Sequence, residues 1–134
     1  MKFSKSSARR LATCHPILQN LFTAVLEKQQ QDFSVICGYR DRIAQTAAFV
    51  EGNSTKEWPN SKHNTSPSRA IDIEPYPSAT PLDYYNLFLL VSTTAREMGI
   101  SIRWGGVFKP TTPLLLPSGK IIPLGWDAGH YELA

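Results

Sequence analysis

The chain has 134 residues, 42% hydrophobic and 19% charged. That balance is ordinary for a globular protein, and the length is enough to bury a core without disulfide or metal staples. Its net charge of +3 suits a polyanionic setting such as nucleic acid, anionic lipid or cell-wall polymer. No aromatic-basic stripe or helix-turn-helix pattern points to nucleic acid, and no apolar run reaches membrane-spanning length. The basic start Met1-Lys2-Phe3 is not followed by the apolar stretch of an export signal.

A single domain over residues 1–134, monomeric, is the expectation. Taken in order, His15-Pro16 opens a helix with proline at its first position. Ile17, Leu21 and Val25, with Leu18, Phe22 and Leu26, form its apolar stripe at helical spacing. Phe33 to Cys37 reads as a short buried strand, and Asp41 as the N-cap of a helix reaching about Val50. Glu51 to Arg69 is polar and turn-rich, a length of loop that compact domains tend to use for function. Ala70 to Glu74 alternates as a strand, Ile71 and Ile73 on one face, Asp72 and Glu74 on the other. Thr80 caps a further helix that starts at Pro81 and ends near Gly99. Ser101 to Trp104, a hairpin turning at Ser118-Gly119, and Gly129 to Leu133 complete the strands. The fold class is therefore α+β, helices packed on a mainly antiparallel sheet. Cys14 and Cys37 fit no CxxC spacing and read as reduced thiols that pack as small apolar groups, with a disulfide between them left open.

Histidine occurs only at positions 15, 63 and 130, which narrows the candidate chemistry. His15, ahead of proline, reads as a structural cap. A zinc hydrolase needs three protein ligands, an open fourth position, and a carboxylate outside the ligand set to take a proton from water. His63, Asp72 and His130 with Asp127 provide one such set, though Asp-x-x-His is common as bare spacing.

Ser61-Lys62-His63, Ala70-Ile71-Asp72, Arg103-Trp104-Gly105-Gly106 and Trp126-Asp127-Ala128-Gly129-His130-Tyr131-Glu132-Leu133 occur in that order. In these motifs the chain resembles the D-Ala-D-Ala carboxypeptidase/L-alanyl-D-glutamate peptidase family (VanY-like), and within it the short, single-domain phage endolysins. The resemblance runs from near Phe3 to the C-terminus and implies a Hedgehog/D-Ala-D-Ala peptidase-like fold. It also implies a Zn2+ site at His63, Asp72 and His130, a catalytic carboxylate at Asp127, and Arg40 steadying the scissile carbonyl. Ser61 matches the family serine before the first histidine and would orient the ligand loop or touch substrate. Glu132 would hold a ligand ring from behind, with a solvent-exposed carboxylate as the plainer alternative. Trp104 would line the cleft, with core packing as its plainer reading. Eight residues separate His63 from Asp72 where the common short motif has six, and Val107-Phe108 follows Gly106 where many relatives carry an acid.

The function so implied is hydrolysis of the L-alanyl-D-glutamate bond in peptidoglycan stem peptides. The enzyme would wait in the host bacterial cytoplasm and reach the wall through a holin. The rivals are a D-Ala-D-Ala carboxypeptidase or dipeptidase, a metal-bearing but non-catalytic wall-binding module, and, more remotely, a basic nuclease.

Overall fold

The computed structural model describes residues 1–110 and 112–134. In chain order it comprises α1 (Lys5–Leu11), α2 (Pro16–Glu27), β1 (Asp32–Cys37), α3 (Arg42–Val50), a 3-10 turn at Lys62–Asn64, and β2 (Ala70–Tyr76). There follow α4 (Pro81–Glu97), β3 (Ile102–Trp104), a second 3-10 turn at Gly105–Val107, β4 (Thr112–Leu115), β5 (Ile121–Leu124) and β6 (His130–Leu133).

Strands β1, β2, β6 and β3 lie side by side in that order, each neighbouring pair antiparallel. The alternation of apolar and polar residues sorts the two faces of this sheet. Ile71 and Ile73 of β2 and Tyr131 and Leu133 of β6 turn inward and are buried. They meet Leu18, Leu21, Phe22 and Val25 of α2 and Leu87, Val91 and Ala95 of α4. Phe22 packs edge-on against Tyr131, ring centroids 5.5 Å apart. Side chains one step along each strand must then point to the opposite face. Register aligns Asp72 with His130, Ile71 with Tyr131 and Ala70 with Glu132. The sheet thereby brings three polar groups together over an apolar floor.

The helix boundaries follow local chemistry. His15 accepts a hydrogen bond from Ile17 N, Asp41 from Ala44 N, and Thr80 from Asp83 N, as expected of N-caps. Ile17 departs from its expected place in the α2 stripe: it is 41% exposed, because the buried arc is narrower and centres on Leu18, Leu21, Phe22 and Val25. Helix α1 has no counterpart in the periodicity reading. It protects the outer edge of β1, where Ser7 Oγ accepts from Val35 N (3.0 Å) and Arg10 Nη1 donates to Val35 O (3.1 Å). Strands β4 and β5 form the expected hairpin and, among the described residues, pair only with each other.

Candidate active site

Four segments converge on the polar face of β2 and β6. Asp72 stands on β2, and His130 and Glu132 on β6. His63 arrives on the 3-10 turn, which Ser61 caps by accepting from His63 N (3.1 Å). Asp127 precedes β6 in a turn that Gly105 makes room for: a Cβ at Gly105 would stand 2.1 Å from Asp127 O and 2.9 Å from His130 Cβ.

The hydrogen bonds fix which ring nitrogens face inward. His63 Nδ1 lies 2.7 Å from Gly38 O, and a carbonyl oxygen can only accept, so Nδ1 carries a hydrogen and Nε2 is the nitrogen turned into the cluster. Among the described residues that Nε2 is buried without a hydrogen-bond partner, 3.2 Å from Asp72 Oδ2 but not aligned for a bond. His130 is held from the other side, with Nε2 2.9 Å from Glu132 Oε1 and Nδ1 3.0 Å from Asp72 Oδ1. Asp127 Oδ2 lies 3.8 Å from the same Nδ1. Arg40 donates from Nη1 to Gln45 (2.9 Å) and from Nη2 to Asp72 Oδ2 (3.3 Å).

The electrostatics of this cluster call for positive charge at its centre. Burial opposes protonation of both rings, yet Asp72, helped by Cys37 at His63 and by Glu132 at His130, outweighs it and raises His63 to about 10 and His130 to about 9. Asp72 is held well below the usual carboxylate range against its own burial by the two histidines. Burial pushes Asp127 up, with His130 pulling the other way.

These residues fit a divalent metal on an observation independent of any family: a buried, unpartnered imidazole nitrogen beside a carboxylate and a second imidazole. Gly38 O and Glu132 sit behind the rings as the partners that orient ligating histidines. Cys37, His63 and Asp72 also have potential ligand atoms within 4.8 Å of one another. The Cys37 thiol, however, lies 3.8 Å from Nδ1, the nitrogen committed to Gly38, and so stands behind the ring. Cys14 and Cys37 are both free thiols, the first buried and the second half-buried.

Above the cluster opens a cleft of ≈ 370 Å³ that includes Arg40, Lys62, Arg103, Phe108, Trp126 and Asp127 in its walls. Trp104 is not among them. It is 6% exposed, stacks on Phe88 at 3.9 Å, and reaches the site only by donating its indole N–H to Ala128 O (2.7 Å). Its place is the core, where a large flat ring packs the α4 side of β3. Trp126, by contrast, is 44% exposed at the cleft. Glu74 is exposed and takes no part in the cluster.

The phage L-alanyl-D-glutamate peptidase family model matches residues 1–134. The chain belongs to that family. It is 31% identical over 140 residues to the L-alanyl-D-glutamate peptidase of Escherichia phage T5, covering 98% of this chain and 97% of that one. Its structure is similar to that of the L-Ala D-Glu endopeptidase ChiX of Serratia marcescens, with a TM-score of 0.75, 25% identity, and coverage of 100% of this chain and 90% of the other. Family membership makes this chain a peptidase and agrees with its α+β architecture.

Gln45 was not singled out by sequence reasoning, yet it braces three parts of the site. Fully buried on α3, it accepts from Arg40 Nη1 (2.9 Å) and Asn64 Nδ2 (3.1 Å) and donates to Ser54 Oγ (3.0 Å) and Lys56 O (2.7 Å). Nothing marks it in the chain beyond its being polar on a helix with several apolar neighbours.

Proposed function

We propose that this L-alanyl-D-glutamate peptidase works as a zinc-dependent endolysin, with His63 Nε2, Asp72 and His130 Nδ1 holding the metal, Asp127 as base and Arg40 as carbonyl clamp. The observation that carries the metal assignment is His63 Nε2, buried beside Asp72 and without a hydrogen-bond partner among the described residues. Imidazole and carboxylate donors suit zinc. When bound, zinc supplies Lewis acidity, lowering the pKa of water and polarising a carbonyl.

The protein's own groups do the rest. With a cation at the centre, Gly38 O and Glu132 would accept from the outer nitrogen of His63 and His130 and leave the inner nitrogen of each ring to bind it. Asp127, close to His130 but outside the ligand set, takes the proton of the attacking water and passes it to the departing amine. Arg40, braced by Gln45, presents a rigid guanidinium to charge developing on the carbonyl oxygen. Family membership supports peptidoglycan as the substrate. The reading includes access to the wall from the host cytoplasm through a separate holin; among the described residues no helix is long and apolar enough to cross a membrane.

The test is mass spectrometry of fragments released from purified Gram-negative peptidoglycan, with and without EDTA. Stem peptides lacking L-alanine, released only without chelator, are expected. Release of D-alanine alone would move the enzyme to the carboxypeptidase branch, and no release from zinc-loaded protein would leave a binding module. His63→Ala should lose zinc in metal analysis of the purified protein; unchanged zinc content would sink the ligand assignment.

A further inference from the structure

Two clefts meet at Asp72, Trp126 and Asp127, and their chemistry is opposite. The first carries Arg40, Lys56, Lys62, Arg103 and Lys109. Among the described residues the second has no lysine or arginine in its walls; Ile36, Pro81, Tyr84 and Leu124 line it together with the acid Glu74.

Three of the charges in the first cleft form a linked group. Glu132 places Oε1 on His130 Nε2 (2.9 Å), while Oε2 faces Lys62 Nζ at 3.1 Å and Arg103 Nη1 at 3.5 Å. One carboxylate thus answers two cations and a ring, leaving positive charge in excess. Lys62 also donates to Leu133 O, which ties it down. Arg103 is the freer of the two. Its side chain is 58% exposed, its guanidinium carbon stands 5.5 Å from the Phe108 ring centroid, and most of its donors are uncommitted.

The L-alanyl-D-glutamate bond is equally lopsided. Alanine offers a neutral methyl group on the acyl side. Glutamate, on the amine side, has two carboxyl groups and can continue the chain through only one, so the other remains as a free carboxylate. We propose that the molecule orients its substrate by this difference. The glutamyl side lies over the cationic cleft, with Arg103 binding the free carboxylate, and the alanyl side points to the cation-free cleft. Glu132 and Phe108 hold the guanidinium in place, and an Arg–carboxylate pair can close two parallel hydrogen bonds. The inference rests on the proposed L-alanyl-D-glutamate specificity and adds the residue that reads it.

The experiment compares two soluble stem peptides that differ in one group, the free glutamyl carboxylate or its carboxamide, using zinc-loaded enzyme. Wild type should favour the carboxylate by about tenfold or more in kcat/KM, the scale of a charge-assisted hydrogen bond. Arg103→Gln should bring that ratio close to one, and Arg103→Lys should restore part of it. A general loss of folding or metal would lower both substrates together and leave the ratio alone, so the ratio isolates recognition. An unchanged preference in Arg103→Gln, or no preference in wild type, overturns the assignment. If wild type cleaves neither peptide at the alanyl-glutamyl bond but releases D-alanine, the specificity reading itself has failed, and this inference with it.

Discussion

On the inner face of β2 and β6, Tyr131 is 1% exposed and its hydroxyl has no hydrogen-bond partner among the described residues. On the outer face, His63 Nε2 is likewise buried and unpartnered. The two orphans differ in their surroundings. Tyr131 sits among Phe22 and other apolar side chains, where the ring does the packing and the hydroxyl is incidental. His63 Nε2 faces a carboxylate and a second imidazole, with its other nitrogen locked by Gly38 O. An unsatisfied polar atom among apolar groups is a cost of the fold. The same atom among a carboxylate and a second imidazole is the feature on which the proposed metal site rests. One sheet, through its two-residue alternation, builds stability on one side and chemistry on the other.

If the faces divide labour in this way, substitutions should separate activity from stability. Asp127→Ala, on the outer face, should lower kcat by roughly 10²–10⁴ with zinc content and melting temperature nearly unchanged; steady-state kinetics beside metal analysis checks this, and retained turnover removes Asp127 as base. Phe22→Ala, on the inner face, should cost about 3–5 kcal/mol of unfolding free energy. Denaturant titration measures that loss, and protein remaining folded should keep its zinc affinity.

Gln45→Ala sharpens the boundary, because Gln45 is both buried and joined to the site. Leaving its partners unsatisfied should destabilise by about 1–3 kcal/mol and, by freeing Arg40 and the His63 turn, weaken zinc binding about 10- to 100-fold. A chelator-competition titration separates the two effects; stability loss with unchanged zinc affinity would confine Gln45 to a structural role. Tyr131→Phe should be the smallest change, leaving unfolding free energy within about 1 kcal/mol of wild type or raising it. A larger loss would mean that the hydroxyl is not an orphan.

Much of this arrangement was legible in the chain. Asp41 and Thr80 announce helix starts because a short polar side chain at that position satisfies free N–H groups, and Ile71-Asp72-Ile73 announces a strand with one polar face. The site set His63, Asp72, His130 and Asp127 came chiefly from the resemblance to the family, since its spacing alone is common. Trp104 and Ile17 were harder to place. A tryptophan beside glycines can line a cleft, but core packing was its plainer reading and is what the structure shows, and an apolar residue at the edge of a helical stripe lies inside or outside according to how wide the neighbouring sheet is.

Local chemistry and alternation by themselves determined the helix caps, the strands and the sharing of one face by His130 and Glu132, because these depend on bonds within a few residues. Only the tertiary structure decided that Glu132 holds His130 from behind, that Gly38 O locks His63, and that Gln45 braces Arg40. It also decided that, among the described residues, lysine and arginine gather in one cleft and are missing from the other. Such contacts join residues far apart in the chain, and their geometry exists only once the sheet has aligned β2 with β6 and the long loop has folded over it.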